Sequence, residues 1–166
     1  MIEIDGVKQM DALDVRILNI IQRDNRLSTE KIALRVSSSP SAVQRRLKRL
    51  REEGIIEAEL AIVSPEAVGL TVTAIVGVVI DKERPLVATV SKFKELMLNT
   101  PEVMQCYDVT GEFDFIVVVT ARDMPEYDSI SRRLFEGNSN VSRYKTALVL
   151  KRIKSQTAIP LPDHQP

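Results

Sequence analysis

Cysteine is nearly absent from this chain: Cys106 is the only one in 166 residues. No intrachain disulfide can form, so the fold must be held by its core. Histidine is equally scarce. His164, close to the end, is the single example. That excludes a Ser-His or Cys-His catalytic pairing, and no Gly-rich phosphate-binding loop occurs. Long apolar runs are missing too. The longest, Val72 to Ile80, contains Thr73 and falls far short of the roughly 20 residues that cross a bilayer. The first residues, Met1 to Gly6, lack the basic-then-apolar plan of a signal peptide. Charge of one sign is also lacking, with 23 basic and 23 acidic residues. The expectation is a cytoplasmic globular protein that is not an enzyme, needs no metal or cofactor and touches no membrane.

Zero net charge does not exclude a nucleic-acid partner, because the electrostatic footprint can be local. Residues 1–60 hold 11 Lys or Arg against 10 Asp or Glu. Yet Ser39 to Arg51 holds Arg45, Arg46, Lys48, Arg49 and Arg51 with no acid. Five positive charges are gathered on one element.

That element is predicted to be the third of three short helices. Asp11 caps the first, which runs to about Arg23 on Leu13, Ile17, Ile20 and Ile21. Ser28 caps the second, with Glu30 in its first turn and Ile32 and Val36 on its core face. Ser37 and Ser38 make the turn. Ser39 caps the third, Pro40 takes the first helical position, and Gly54 ends it. At 100° per residue, Val43, Leu47 and Leu50 point inward. Ser41, Ala42, Arg45, Lys48 and Arg49 then face outward, flanked by Gln44 and Arg46. Such a face suits the major groove. Small residues permit close approach, Arg grips guanine edges or phosphates, and Gln reads adenine. Arg45, Arg49 and Gln44 are the candidates for base contacts, and Arg46, Lys48 and Arg51 for phosphates. The run Ile55 to Val63 is predicted to be a short β-ribbon, the wing of a winged helix-turn-helix. The bland alternative is a basic face that is merely solvated. The Ser-Ser-Ser-Pro turn and the absence of acids argue against it.

The remainder has a different pattern. Ser64 to Gly69 is a linker with room for one helical turn. A β-branched strand follows over Thr71–Ile80. A helix follows to about Asn99, with Leu86, Val90, Phe93 and Met97 in phase. Strands are predicted over Val103–Val109 and Phe113–Ala121, joined by a turn at Thr110 to Glu112. Asp123 and Glu126 open a helix with Tyr127, Ile130, Leu134 and Phe135 inward. Tyr144–Ile153 is the last strand. Strand, helix, strand, strand, helix, strand is the order of a ferredoxin-like α+β sandwich. Both faces of the first strand are apolar, which argues for self-association. The expected division is residues 1–63, a linker over 64–70, a second domain over 71–154, and a mobile, proline-containing tail over 155–166.

With these residues in view, the chain resembles the Lrp/AsnC (feast/famine) transcriptional regulators over roughly residues 10–160. The resemblance rests on LDVRILNIIQRDNRLS, SPSAVQRRLKRLREEGII and DVTGEFDF together with element order. It implies double-stranded DNA as partner, with a roughly palindromic operator. It also implies a homodimer that assembles to tetramers or octamers, and a small-molecule effector, usually an amino acid. The effector would sit at the turn joining the middle strands: Asp108, Thr110, Gly111, Glu112, Phe113 and Asp114, with Thr146 near the same pocket. A Gly turn can offer backbone N–H groups to a carboxylate, and neighbouring acids can hold an ammonium. The family often has Gly in the turn before its recognition helix, where this chain has Ser37.

Two other readings stay open on residues alone. One is an amino-acid-sensing module whose basic helix does not bind DNA. The other is an enzyme using Asp108, Glu112 and Asp114 with a divalent metal. Gly111 also has a bland reading, since a hairpin turn needs glycine whatever it binds. Cys106, alternating within a strand, reads as a packing residue.

Overall fold

The computed structural model describes residues 10–83 and 85–161. Met1 to Gly6 and His164 lie outside them. The chain divides into two compact units, residues 1–61 with 154–166, and residues 62–153.

In the first unit three helices form where local capping dictates. α1 spans Ala12–Ile21, α2 Thr29–Arg35 and α3 Pro40–Glu52. Asp11 caps α1 by accepting from the N–H groups of Leu13 and Asp14, at 2.9 and 3.0 Å, and Asp14 returns a bond to the Asp11 N–H. Ser28 accepts from Lys31, and Ser39 from Ala42 at 3.2 Å, with Pro40 at the first position of α3. Each such cap contributes about 1 kcal/mol. Ile17, Ile32, Ala33, Val36, Val43 and Leu47 form the core. Burying each large apolar side chain of this cluster contributes roughly 1.5–3 kcal/mol. α2 ends at Val36. Ser37 takes a φ of 53°, and the Ser38 N–H reaches back to the Ala33 carbonyl at 3.0 Å. That bond spans the helix end as a Schellman motif does.

Two expectations need correction in this unit. The predicted ribbon over Ile55–Val63 has no strand pairing among the described residues. Leu60, Ile62 and Val63 stand exposed there, with no neighbouring strand to complete a ladder. The described part of the tail is anchored at Ile159. The Gln22 carboxamide accepts from the Ile159 N–H at 2.7 Å and donates to the Ile159 carbonyl at 3.3 Å.

The second unit opens with a single 3₁₀ turn, Glu66–Val68, closed by Gly69 at φ 85°. The sheet strands are β1 (Val72–Ile80), β2 (Val103–Asp108), β3 (Phe115–Ala121) and β4 (Val141–Leu148). They are ordered β2-β3-β1-β4 and antiparallel throughout. The helices are α4 (Leu86–Leu98) and α5 (Met124–Ser131), the latter continued by a π turn over Arg132–Glu136. Ala74, Val76, Val78 and Ile80 of β1 and Phe115, Val117, Val119 and Ala121 of β3 pack against Phe93, Met97, Tyr127, Ile130, Leu134 and Phe135. This is the expected ferredoxin-like α+β arrangement.

Its details differ at three places. β3 begins at Phe115, leaving Phe113 in the turn. β4 starts three residues earlier than predicted and stops at Leu148, after which Leu150 and Ile153 are exposed. Leu86 is half-exposed, and buried Thr89 takes the inward place instead, with its hydroxyl on the Pro85 carbonyl.

Among the described residues of this unit, both helices pack on the side of the sheet that carries Ala74, Val76, Val78 and Ile80. By register, Ile75 pairs with Val118 and Ala147, and Gly77 with Ile116 and Lys145. These positions alternate with the buried ones, so an apolar strip lies on the face away from α4 and α5.

Candidate DNA interface and effector site

The outward face of α3 is built as its periodicity requires. Val43, Leu47 and Leu50 are buried, while Ser41, Gln44, Arg45, Lys48 and Arg51 are exposed. The Ser39 and Ser41 hydroxyls lie 3.2 Å apart at the start of the helix, and Ala42 is half-buried beside them.

The five cations are not equivalent. Arg46 Nη1 lies 2.6 Å from Asp11 and 2.9 Å from Asp14. Arg49 Nη2 lies 2.5 Å from the other oxygen of Asp14. Asp14 itself is fully buried. The Asp14 N–H and the Arg46 guanidinium hold the Asp11 carboxyl below the usual carboxylate range, and the bond to Asp14 raises Arg46. Arg51 donates through Nε and Nη2 to Glu59, at 3.2 and 2.7 Å. Lys48 faces Glu52 at 3.7 Å with both exposed, a pair worth a few tenths of a kcal/mol at most. Arg45 has no anionic partner among the described residues. The free cations of this face are therefore Arg45 and, nearly so, Lys48.

Residue type alone did not single out Asp14. The available signal was an acid three residues before Ile17 and four before Leu18, inside the apolar stripe of α1. A buried acid demands cations, and the acid-free third helix supplies them.

At the second candidate site the turn folds back over the open face of the sheet. Asp114 is its latch. Its N–H donates to the Val78 carbonyl at 2.9 Å, and its carboxylate accepts from the Ile80 N–H at 2.8 Å. Its carbonyl accepts from the Val109 N–H, and Lys82 lies 3.8 Å from its other oxygen. Gly111 has a φ of 125°, a conformation that side chains resist. The Phe113 ring lies flat on Gly77, where a Cβ would come within 2.7 Å of three ring carbons. Lys145, beside Gly77 on β4, places Nζ 6.0 Å from the centre of that ring and 2.8 Å from Glu112 Oε1. Arg143 adds a longer contact at 3.9 Å. Lys145, then Arg143, holds the Glu112 carboxyl below its ordinary range.

Asp108 pairs with Lys94 of α4 at 2.7 Å. The three acids are thus each engaged. By contrast, the N–H groups of Thr110, Gly111, Glu112 and Phe113 meet no acceptor among the described residues. Thr146 is not brought to this turn. It pairs with buried Val76, so it points to the helix side, where its hydroxyl meets that of Tyr127 at 2.6 Å. Gly77, Lys145 and Arg143 were not anticipated. A glycine midway along a strong β-branched strand was their only sequence signal.

Among the described residues, no three His, Cys, Asp or Glu side chains converge as a metal site. Cys106 is exposed on β2 rather than packed, yet partial desolvation, then Asp108, pushes its thiol up. No helix among the described residues is long and apolar enough to cross a membrane.

Two family models match these two regions. One is described as winged helix-turn-helix DNA-binding and covers residues 10–57. The other, the Lrp/AsnC ligand binding domain, covers residues 73–159, just over half of the chain. The chain belongs to the Lrp/AsnC family. An uncharacterized HTH-type transcriptional regulator of Sinorhizobium fredii is 48% identical, over 95% of this chain and 92% of its own length. A Neisseria meningitidis transcriptional regulator, solved as a complex with L-Met, superposes with a TM-score of 0.83 at 31% identity. That match covers 92% of this chain and 97% of the other. The feast or famine regulatory protein from Mycobacterium tuberculosis, complexed with L-methionine, gives 0.79 at 26% identity, covering 90% and 97%.

Membership of the Lrp/AsnC family makes this chain a DNA-binding transcriptional regulator with an N-terminal winged helix-turn-helix and a C-terminal α+β domain. The reading as a module that does not bind DNA gives way to it.

Proposed function

We propose that this Lrp/AsnC protein is a cytoplasmic, amino-acid-responsive regulator that reads a roughly palindromic duplex as a dimer or larger assembly. α3 of each protomer enters the major groove, with the two heads about 34 Å apart along the duplex. The observation that carries the reading is the outward face of α3. Ser41, Gln44, Arg45 and Lys48 are exposed, uncompensated or nearly so, and backed by an apolar stripe. Arg45 and Gln44 make base contacts, Lys48 faces a phosphate, and Arg51 reaches one on exchanging Glu59 for it.

The effector is a free amino acid whose carboxylate is taken by N–H groups of the turn Thr110–Phe113. Four unpartnered N–H groups around a left-handed glycine support this. So do the L-methionine complexes of two structural relatives. The turn lies over the sheet face that self-association would cover. A ligand there is placed to shift assembly and hence the spacing of the DNA-reading heads.

The test is selection of duplexes from a random library by the purified protein at about 150 mM salt, a concentration at which non-specific binding is weak. Binding of the selected duplex is then measured with and without L-methionine and a pool of other amino acids. Recovery of a two-fold-symmetric sequence supports the regulator reading, and a shift with an amino acid supports the effector site. Failure to enrich any sequence sinks the DNA reading. Enrichment with no shift by any amino acid sinks the turn as an effector site.

A further inference from the structure

We infer that Asp14 is a positioning residue for DNA reading: it clamps α3 through Arg46 and Arg49, so these two arginines set the pose of the helix rather than touch DNA. The inference rests on the reading that α3 enters the groove, and divides its cations into two classes.

Among the described residues, Asp14 is the one charged side chain that is buried. A carboxylate in that position is tolerated only if its lone pairs are filled. Three donors fill them: the Asp11 N–H at 3.1 Å, Arg46 Nη1 at 2.9 Å and Arg49 Nη2 at 2.5 Å. The Arg49 Nε is enclosed with no acceptor and Nη2 is spent on Asp14, so these two nitrogens face the α1–α3 seam while 41% of the side chain stays exposed. Positions 46 and 49 lie one turn apart on one side of α3. Two charge-assisted bonds to one carboxylate therefore fix both the rotation of α3 about its axis and its slide along α1. The apolar contacts of Val43, Leu47 and Leu50 are non-directional and cannot do this alone.

Charge supports the same division. Asp11, Asp14, Arg46 and Arg49 sum to zero within one contact cluster. The cluster offers no net charge to a phosphate, whereas Arg45 does. Base preference then comes from Gln44, Arg45 and Ser41, held at an angle that Asp14 determines.

The experiment uses the full-length protein, the duplex it selects from a random library, and a scrambled duplex of equal composition. Asp14→Asn keeps the shape and releases Arg49, which has no other acid. Expected are a fall on the order of tenfold in selected-over-scrambled preference and a salt slope steeper by roughly one unit per head. Preference should weaken at all contacted base pairs together. Asp14→Asn with Arg49→Gln should restore the slope without restoring preference. If Asp14→Asn does not melt cooperatively, Arg49→Gln alone serves, because Asp14 keeps Arg46 and the Asp11 N–H. It should lower preference at every position with the slope unchanged. Loss of preference at a single base pair, or a slope shallower by one unit, would show Arg49 on a base or a phosphate and overturn the proposal. So would an unchanged preference in Asp14→Asn. A wild-type protein that selects nothing would instead overturn the DNA reading itself.

Discussion

Gly77 shows how one missing side chain shapes a site. It sits mid-strand among β-branched neighbours, where glycine costs stability through backbone entropy. The Phe113 ring occupies the space, lying where a Cβ would be 2.7 Å from three of its carbons. Ring and hole hold the turn Thr110–Asp114 down, with the Asp114 latch on β1. Gly77→Ala should therefore cost about 1–3 kcal/mol by overpacking, and Phe113→Leu should recover part of it. A double-mutant cycle by urea denaturation should give a coupling energy of at least about 0.5 kcal/mol. Additive losses would mean that the ring is not what excludes a side chain at 77. Lysine 145 and Arg143 escaped the sequence for a related reason. Their link to Glu112 depends on β4 lying beside β1, and no spacing along the chain encodes that neighbour.

Among the elements, those set by local rules were legible in advance. Asp11, Ser28, Ser39 and Pro40 open their helices as read, since a cap needs only the next three residues. Elements that need a remote partner were read less well. The stretch Ile55–Val63 has strand-forming composition but nothing in the described chain to pair with. β4 pairs with β1 as far as Leu148 opposite Ala74, and Val149 adds one last bond to the Thr73 carbonyl at 2.9 Å before the chain leaves the sheet. Phe113 has strand propensity and lies in a turn because Gly77 leaves room for it. The join between α2 and α3 is a case where the local cost is visible. Ser37 holds φ 53°, unfavourable by roughly 1–2 kcal/mol for a residue with a Cβ. Ser37→Gly removes that strain but adds freedom to the unfolded chain. A net gain of about 0.5–1 kcal/mol is expected, read as a raised melting temperature of the first unit. A fall in that temperature would show that the Ser37 side chain contributes more than its backbone costs.

For the whole molecule, the ionised carboxylates decide how stability depends on pH. Asp11, Glu66, Glu112 and Glu126 all have folded-state values below the ordinary range. The folded state binds protons less readily than the unfolded one, so these groups stabilise above about pH 4, the unfolded carboxylate range. That contribution fades as pH falls through their folded values. The sequence holds one histidine, and the Cys106 thiol is pushed up, so few groups titrate near neutrality. The melting temperature should be nearly flat from pH 5.5 to 8 and drop below pH 4. Because Asp11, Glu66 and Glu112 are solvent-exposed and Glu126 is only part-buried, the drop should shrink in high salt. A fall already evident near pH 6 would assign stability to a group these contacts do not include.

Assembly is the remaining property of the whole, and the sheet's uncovered face gives it a direct test. The sequence showed both sides of β1 to be apolar, but not which side the helices would leave. Register now places Ile75 beside Val118 and Ala147 on the uncovered side, with 41% of its surface exposed in the single chain. A lysine at 75 can therefore reach water in a lone protomer, and the isolated fold should tolerate it. Against a second copy the same lysine would be buried in an apolar seam. It would also forfeit the roughly 1.5–3 kcal/mol of burying an isoleucine, once per protomer in a symmetric pair. Ile75→Lys should melt within a few degrees of the wild type when both are dilute, yet sediment as a single 18.6 kDa chain where the wild type does not. Binding to the selected duplex should weaken with it, since two heads on one duplex bind far more tightly than one. If Ile75→Lys sediments like the wild type, this face is not the seam between copies. The apolar strip would then need another explanation, and the coupling between turn and DNA proposed above would lose its structural route.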